Sequence, residues 1–131
     1  MRPEPMAILP AAALPLEDPI GAAVRAAQCG LVSELRHLLE VRAIEACDRD
    51  NEGCSLLHWA AINGRTDVVA LLLAHDADPS APGGLLNETP LQWAARQGHV
   101  DVMAQLLRTG MACAGHKNVE GRDALFLCVL Q

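Results

Sequence analysis

Few residues in this 131-residue chain are spaced as chemistry requires, and each candidate meets a specific obstacle. Asp48-x-Asp50-x-Glu52-Gly53 opens like a calcium loop, in which alternating carboxylates surround a hard cation. Such a loop needs a bidentate Glu at its twelfth position, and that position is Trp59. The acidic stretch therefore reads as a solvated turn. Cys113-x-x-His116 has ligand spacing, but no second pair supplies the remaining ligands of a tetrahedral zinc site. Ser55 and His58 lie three apart without a carboxylate to complete a nucleophilic set. Gly83-Gly84 has no strand before it and no Lys-Ser/Thr after it, so it is not a phosphate loop. No catalytic residue, metal or cofactor is expected.

The remaining reactive side chains fit structural roles. His75, His99 and His116 fall at loops or helix ends. The cysteines (29, 47, 54, 113, 128) are odd in number and lack close pairing. They read as small apolar residues of a chain kept in a reducing compartment.

Composition narrows the class further. Apolar residues make up 51% and charged ones 20%, an ordinary globular balance. Two Trp, one Phe and no Tyr, in a chain rich in Ala and Leu, suit closely packed helices rather than a β-sandwich. A net charge of −6 and a pI near 5.2 argue against a nucleic-acid partner, because phosphate contacts need a basic face. No apolar run reaches the roughly 20 residues of a membrane span. Met6 to Leu16 is too short and is broken by Pro10 and Pro15. With one Arg before it, this stretch reads as a flexible leader over residues 1–19 rather than a secretory signal.

From about residue 20 the chain repeats. Leu57-His58-Trp59-Ala60-Ala61-Ile62-Asn63-Gly64 recurs as Leu91-Gln92-Trp93-Ala94-Ala95-Arg96-Gln97-Gly98. The same offset carries Leu72-Leu73 onto Leu106-Leu107 and, backwards, onto Leu38-Leu39. Each unit reads as two short antiparallel helices. The first runs over about 57–63 and ends at Gly64; the second opens at Thr66 or Asp67 and sets Val68, Val69, Leu72 and Leu73 on one face. Polar turns lie between units. The expected divisions are 20–47, 48–81 and 82–115, then a partial unit at 116–131. Leu125 to Leu130 form an apolar half-unit, so residue 131 is not expected to be a natural domain end.

These residues resemble a known repeat. Thr89-Pro90-Leu91-x-Trp93-Ala94-Ala95, a Gly near the helix end and a later Leu-Leu pair look like an ankyrin repeat, which implies an all-α solenoid of about three repeats plus the start of a fourth. In that pattern His58 bonds backbone between repeats. The usual ankyrin repeat is about 33 residues long. The offset from Leu57 to Leu91 exceeds that by one, and the extra residue fits the loop near Gly83-Gly84. More narrowly, Leu56 to Arg65 and Gly83 to His99 resemble the amino-terminal ankyrin domain of the ankyrin-repeat DHHC-type palmitoyltransferases.

That resemblance implies a cytosolic, non-catalytic recruiting domain ahead of membrane spans and an Asp-His-His-Cys segment, typically on Golgi membranes. It also implies partners with short unstructured motifs ending in Gln-Pro, bound by the residues matching Asn63 and Trp93. Trp59, the repeat-equivalent of Trp93, is the third candidate. Gln92 departs from the family's usual His. The other reading is a free-standing ankyrin scaffold unrelated to acylation.

Overall fold

Most of the helices that build the inner row begin where a side chain can satisfy backbone N–H groups left free in the first turn. In the computed structural model, which describes residues 18–110, 112 and 115–129, Asp18 accepts from Gly21 N at 3.0 Å and opens α1 (Pro19–Cys29). Residues 1–17, most of the expected leader, and Cys113 lie outside the described residues. α2 (Val32–Glu40) follows Gly30, which takes φ 76° at the turn. Ser55 caps α3 (Leu56–Ile62), and Thr89 caps α5 (Pro90–Gln97). Both form capping boxes in which the third helical residue, His58 or Gln92, reaches back to the cap's own N–H. α4 (Thr66–Ala74), α6 (Val100–Arg108) and α7 (Ala124–Val129) complete the set.

The capping chemistry moves α3 one residue earlier than its apolar pattern alone suggests. Asn63 becomes its C-cap, and Gly64 turns the chain at φ 68°. Among the described residues, the regular structure is helical, with isolated bridges at Arg49–Ser55 and Gly83–Glu88.

The helices form two rows. α1, α3, α5 and α7 stack side by side, and α2, α4 and α6 lie behind them. The alanine pairs make the inner row possible. Ala26, Ala27, Ala60, Ala61, Ala94 and Ala95 are at most 1% exposed, and their lack of bulk lets neighbouring helices approach closely. Leu35, Leu38, Val68, Leu72, Val102 and Leu106 on the outer row close the core behind them. This is the helix-turn-helix solenoid that the sequence repeat implies.

Two turn-rich loops project from the inner row, one ending at Ser55 and the other at Thr89. They are pressed together. Arg49 Nη1 donates both to Gly53 O (2.8 Å) and to Pro82 O (2.7 Å), bridging the loops. Gly83 sits so close that a methyl group there would collide with the Gly53 carbonyl.

Candidate functional site

Trp93 stands on the first turn of α5 and Trp59 at the same place on α3, so the stacking of those helices brings them together. The rings meet edge to face, 5.4 Å apart at 84°. The His58 ring packs against Trp93 in the same manner at 4.9 Å. Trp59 is also pinned at its nitrogen, which donates to Asp50 Oδ2 at 2.9 Å. Asp50 Oδ1 meanwhile accepts from Glu52 N and Cys54 N, each at 2.9 Å, shaping the loop.

Trp93 forms the floor of an open groove of about 340 Å³. Ile62, Cys54 and the loop at 83–86 line it as well. Leu85 at the loop tip is 96% exposed, an uncovered apolar side chain beside an apolar groove. Glu52, Glu88 and Arg96 supply its polar edge. Asn63 is placed differently. It is exposed at the end of α3, and its Nδ2 donates to Trp59 O at 2.8 Å. The groove lining includes its neighbour Ile62 rather than Asn63 itself. Of the three candidates, the structure thus brings Trp59 and Trp93 into contact and ties Asn63 to Trp59.

The electrostatics do not favour covalent or metal chemistry here. Asp50, Glu52 and Cys54 come within 4.8 Å of one another. Burial, then the Asp50 and Glu52 charges, pushes the Cys54 thiol up to about 11, so it stays protonated and is a poor nucleophile or ligand. Burial likewise lowers His58 to about 4. Its ring is neutral: Nδ1 accepts from Ser55 Oγ (2.7 Å) and Ser55 N (3.2 Å), and Nε2–H donates to Glu88 O at 2.6 Å. Ser55 and His58 are therefore a helix cap and an inter-unit tie, the structural role expected of His58.

Several of the residues that build the site carry no sequence signal of their own. Glu88 is 1% exposed and holds Arg96 through two bonds, 2.9 and 2.7 Å, while Asn118 Nδ2 also donates to its Oε2. That pairing raises the Arg96 pKa above its ordinary value. Arg49 and Asp50 looked like members of a solvated turn. Only their distant partners, Pro82 and Trp59, reveal what they do.

A largely apolar groove with a charged edge, lined by an aromatic ring and an exposed loop tip, suits non-covalent docking of an extended segment. The comparison with known proteins agrees with the architecture. A profile of ankyrin repeats in many copies matches residues 38–107. The chain belongs to the ankyrin-repeat family.

Ankyrin repeats are protein-interaction modules, and the groove of this one lies among the loops and inner helices. Similar full-length proteins include palmitoyltransferase Hip14 of Drosophila melanogaster, 43% identical over 68 residues, or 52% of this chain and 10% of the relative. The putative palmitoyltransferase ZDHHC13 of Danio rerio is 40% identical over 107 residues, 82% of this chain and 16% of that one. Palmitoyltransferase ZDHHC17 of Homo sapiens is 42% identical over 87 residues, 66% and 14% of the two chains. This ankyrin chain therefore spans well under a fifth of the length of these relatives and corresponds to their ankyrin region. Among its described residues, no helix is long and apolar enough to cross a membrane.

Proposed function

We propose that this ankyrin segment recruits protein substrates for a palmitoyltransferase by binding short extended peptides that end in Gln-Pro. The observation that carries the reading is the Trp93 groove, an aromatic floor left open to solvent between projecting loops. A Pro ring lies flat on Trp93 with little loss of rotamer freedom on either side. Asn63 commits one of its two amide N–H groups to Trp59 O, and its Oδ1 is offered to the side-chain amide of the ligand's Gln. The kinship with named palmitoyltransferases supports acylation as the purpose of recruitment. In a parent enzyme this segment lies on the cytoplasmic side of a Golgi or other endomembrane, delivering substrate to a catalytic part that this chain does not contain.

Calorimetry with a Gln-Pro peptide tests the assignment, with folding checked by circular dichroism. Trp93→Ala is expected to cost about 2 kcal/mol or more of affinity, as binding hot spots do. Asn63→Ala is expected to cost about 1 kcal/mol, since it is exposed and loses one hydrogen bond. A folded Trp93→Ala chain that binds as tightly as the unmodified protein removes the groove from the binding site.

A further inference from the structure

We infer that Asp50 is the positioning residue of the groove, setting Trp59 and, through it, the binding face of Trp93. The inference rests on the peptide-binding reading above. The two carboxylate oxygens of Asp50 have separate tasks. Oδ1 holds the loop through Glu52 N and Cys54 N, and Oδ2 holds the indole of Trp59. Asn63 fixes only the main chain of Trp59, not its ring. The Asp50 bond is therefore what stands the indole edge-on against Trp93 at 84°.

The space available to a released indole makes that bond consequential. On the other side of Asp50 lies a second cavity of about 400 Å³, lined by Ile20, Arg25, Gln28, Asp50 and Asn51. It is the counterpart of the Trp93 groove one repeat earlier. Ile20, Gln28, Asp50 and Asn51 stand one repeat before Cys54, Ile62, Gly84 and Leu85, which line the Trp93 groove. Asp50 itself lines that cavity, so an indole released from its carboxylate has space beside it, and Trp93 then loses the aromatic edge that steadies its ring. Asp50 thus keeps Trp93 in one orientation before any peptide arrives, which lowers the ordering cost of binding.

Asp50→Asn separates the two tasks. Its one carbonyl oxygen can keep the loop N–H groups, while its NH2 faces the indole N–H and cannot accept from it. Trp59→Phe removes the same hydrogen bond from the other end and keeps an aromatic edge. Each variant is expected to weaken binding of a Gln-Pro peptide by about three- to tenfold, the range of one hydrogen bond. The double variant should bind no more weakly than the worse single one, because both remove one shared interaction. Hydrogen exchange of the Trp59 indole N–H, followed by NMR, should accelerate at least about tenfold in Asp50→Asn if the anchor is released. Wild-type affinity in Asp50→Asn, or independent multiplying effects in the double variant, overturns the inference. If the unmodified protein does not bind the peptide, the ligand assignment fails on its own. The exchange rate then decides the anchor, and unchanged protection in Asp50→Asn refutes it.

Discussion

His58 and Gln92 occupy equivalent positions in successive repeats and do the same work with different chemistry. Each closes a capping box, and each reaches across to the backbone of the next repeat. His58 bonds Glu88 O; Gln92 bonds Arg122 O, the equivalent carbonyl one repeat on, at 2.8 Å, and also His116 O at 3.0 Å. The difference is that His58 titrates. Unfolded, an imidazole titrates near 6.5; folded, His58 titrates near 4. Between those values the unfolded chain binds a proton that the folded chain refuses. Its contribution is therefore complete above pH 6.5 and is lost as the pH falls toward 4, by as much as about 3 kcal/mol. Replacing it with the neighbouring solution, His58→Gln, should flatten that part of the acid sensitivity. Urea titrations of both proteins at pH 7.5 and 4.5 measure it, and parallel losses in the two would assign the effect to other groups. Arg65 and His99 form another equivalent pair. From the residue before each outer helix, they donate to Gln28 O (2.9 Å) and Ile62 O (3.0 Å).

The two projecting loops are held as one wall by contacts that leave no room for a side chain. Gly83 packs on the Gly53 carbonyl, and Arg49 bonds carbonyls of both loops. A β-carbon at Gly84 would also lie 3.3 Å from the Trp93 ring, at a φ of 80°. The glycine pair is thus what allows the wall to close against the Trp93 floor. Gly83→Ala is expected to destabilise the chain by about 2 kcal/mol, as overpacking does, and to shift Trp emission as the loops part. Gly115, with nothing within 4 Å of a β-carbon, serves as the control. Alanine there should leave the urea midpoint almost unchanged.

Repeat proteins hold together through neighbours, so the ties between successive units set how far a local opening spreads. Glu88 is one such tie beyond the apolar core. It is buried in the third unit, paired with Arg96 of the same unit and bonded by Asn118 of the next. Glu88→Gln keeps the shape and removes the charge that Arg96 neutralises. The partly exposed Arg96 tempers the loss, giving an expected cost of about 2 kcal/mol. Because the broken tie leads to α7, amide exchange there should accelerate more than in α3 or α4. A uniform rise along the chain would mean that the molecule opens as one unit and that Glu88 does not couple its parts.

The solenoid and the helical pairs were legible in the sequence because they depend on local and periodic features: alanine and leucine pairs at fixed offset and glycines at the turns. The side chains at the groove were legible only in part. Trp59 and Trp93 stand out as rare residues in register, and helix stacking converts that register into contact. Asn63 is singled out only by the family resemblance, and its exposed C-cap position and its bond to Trp59 O follow from how α3 ends. The functions of Asp50, Arg49, Glu88 and Gly83 were not legible. Each depends on a partner well removed along the chain, or on a clearance between two loops, and neither has a fixed spacing for a pattern to show. The acidic turn that looked merely solvated became the support of the groove only when folding carried Trp59 onto Asp50 and one loop onto the other. Periodicity specifies which faces are buried; side-chain hydrogen bonds between loops arise only once burial has set the distances.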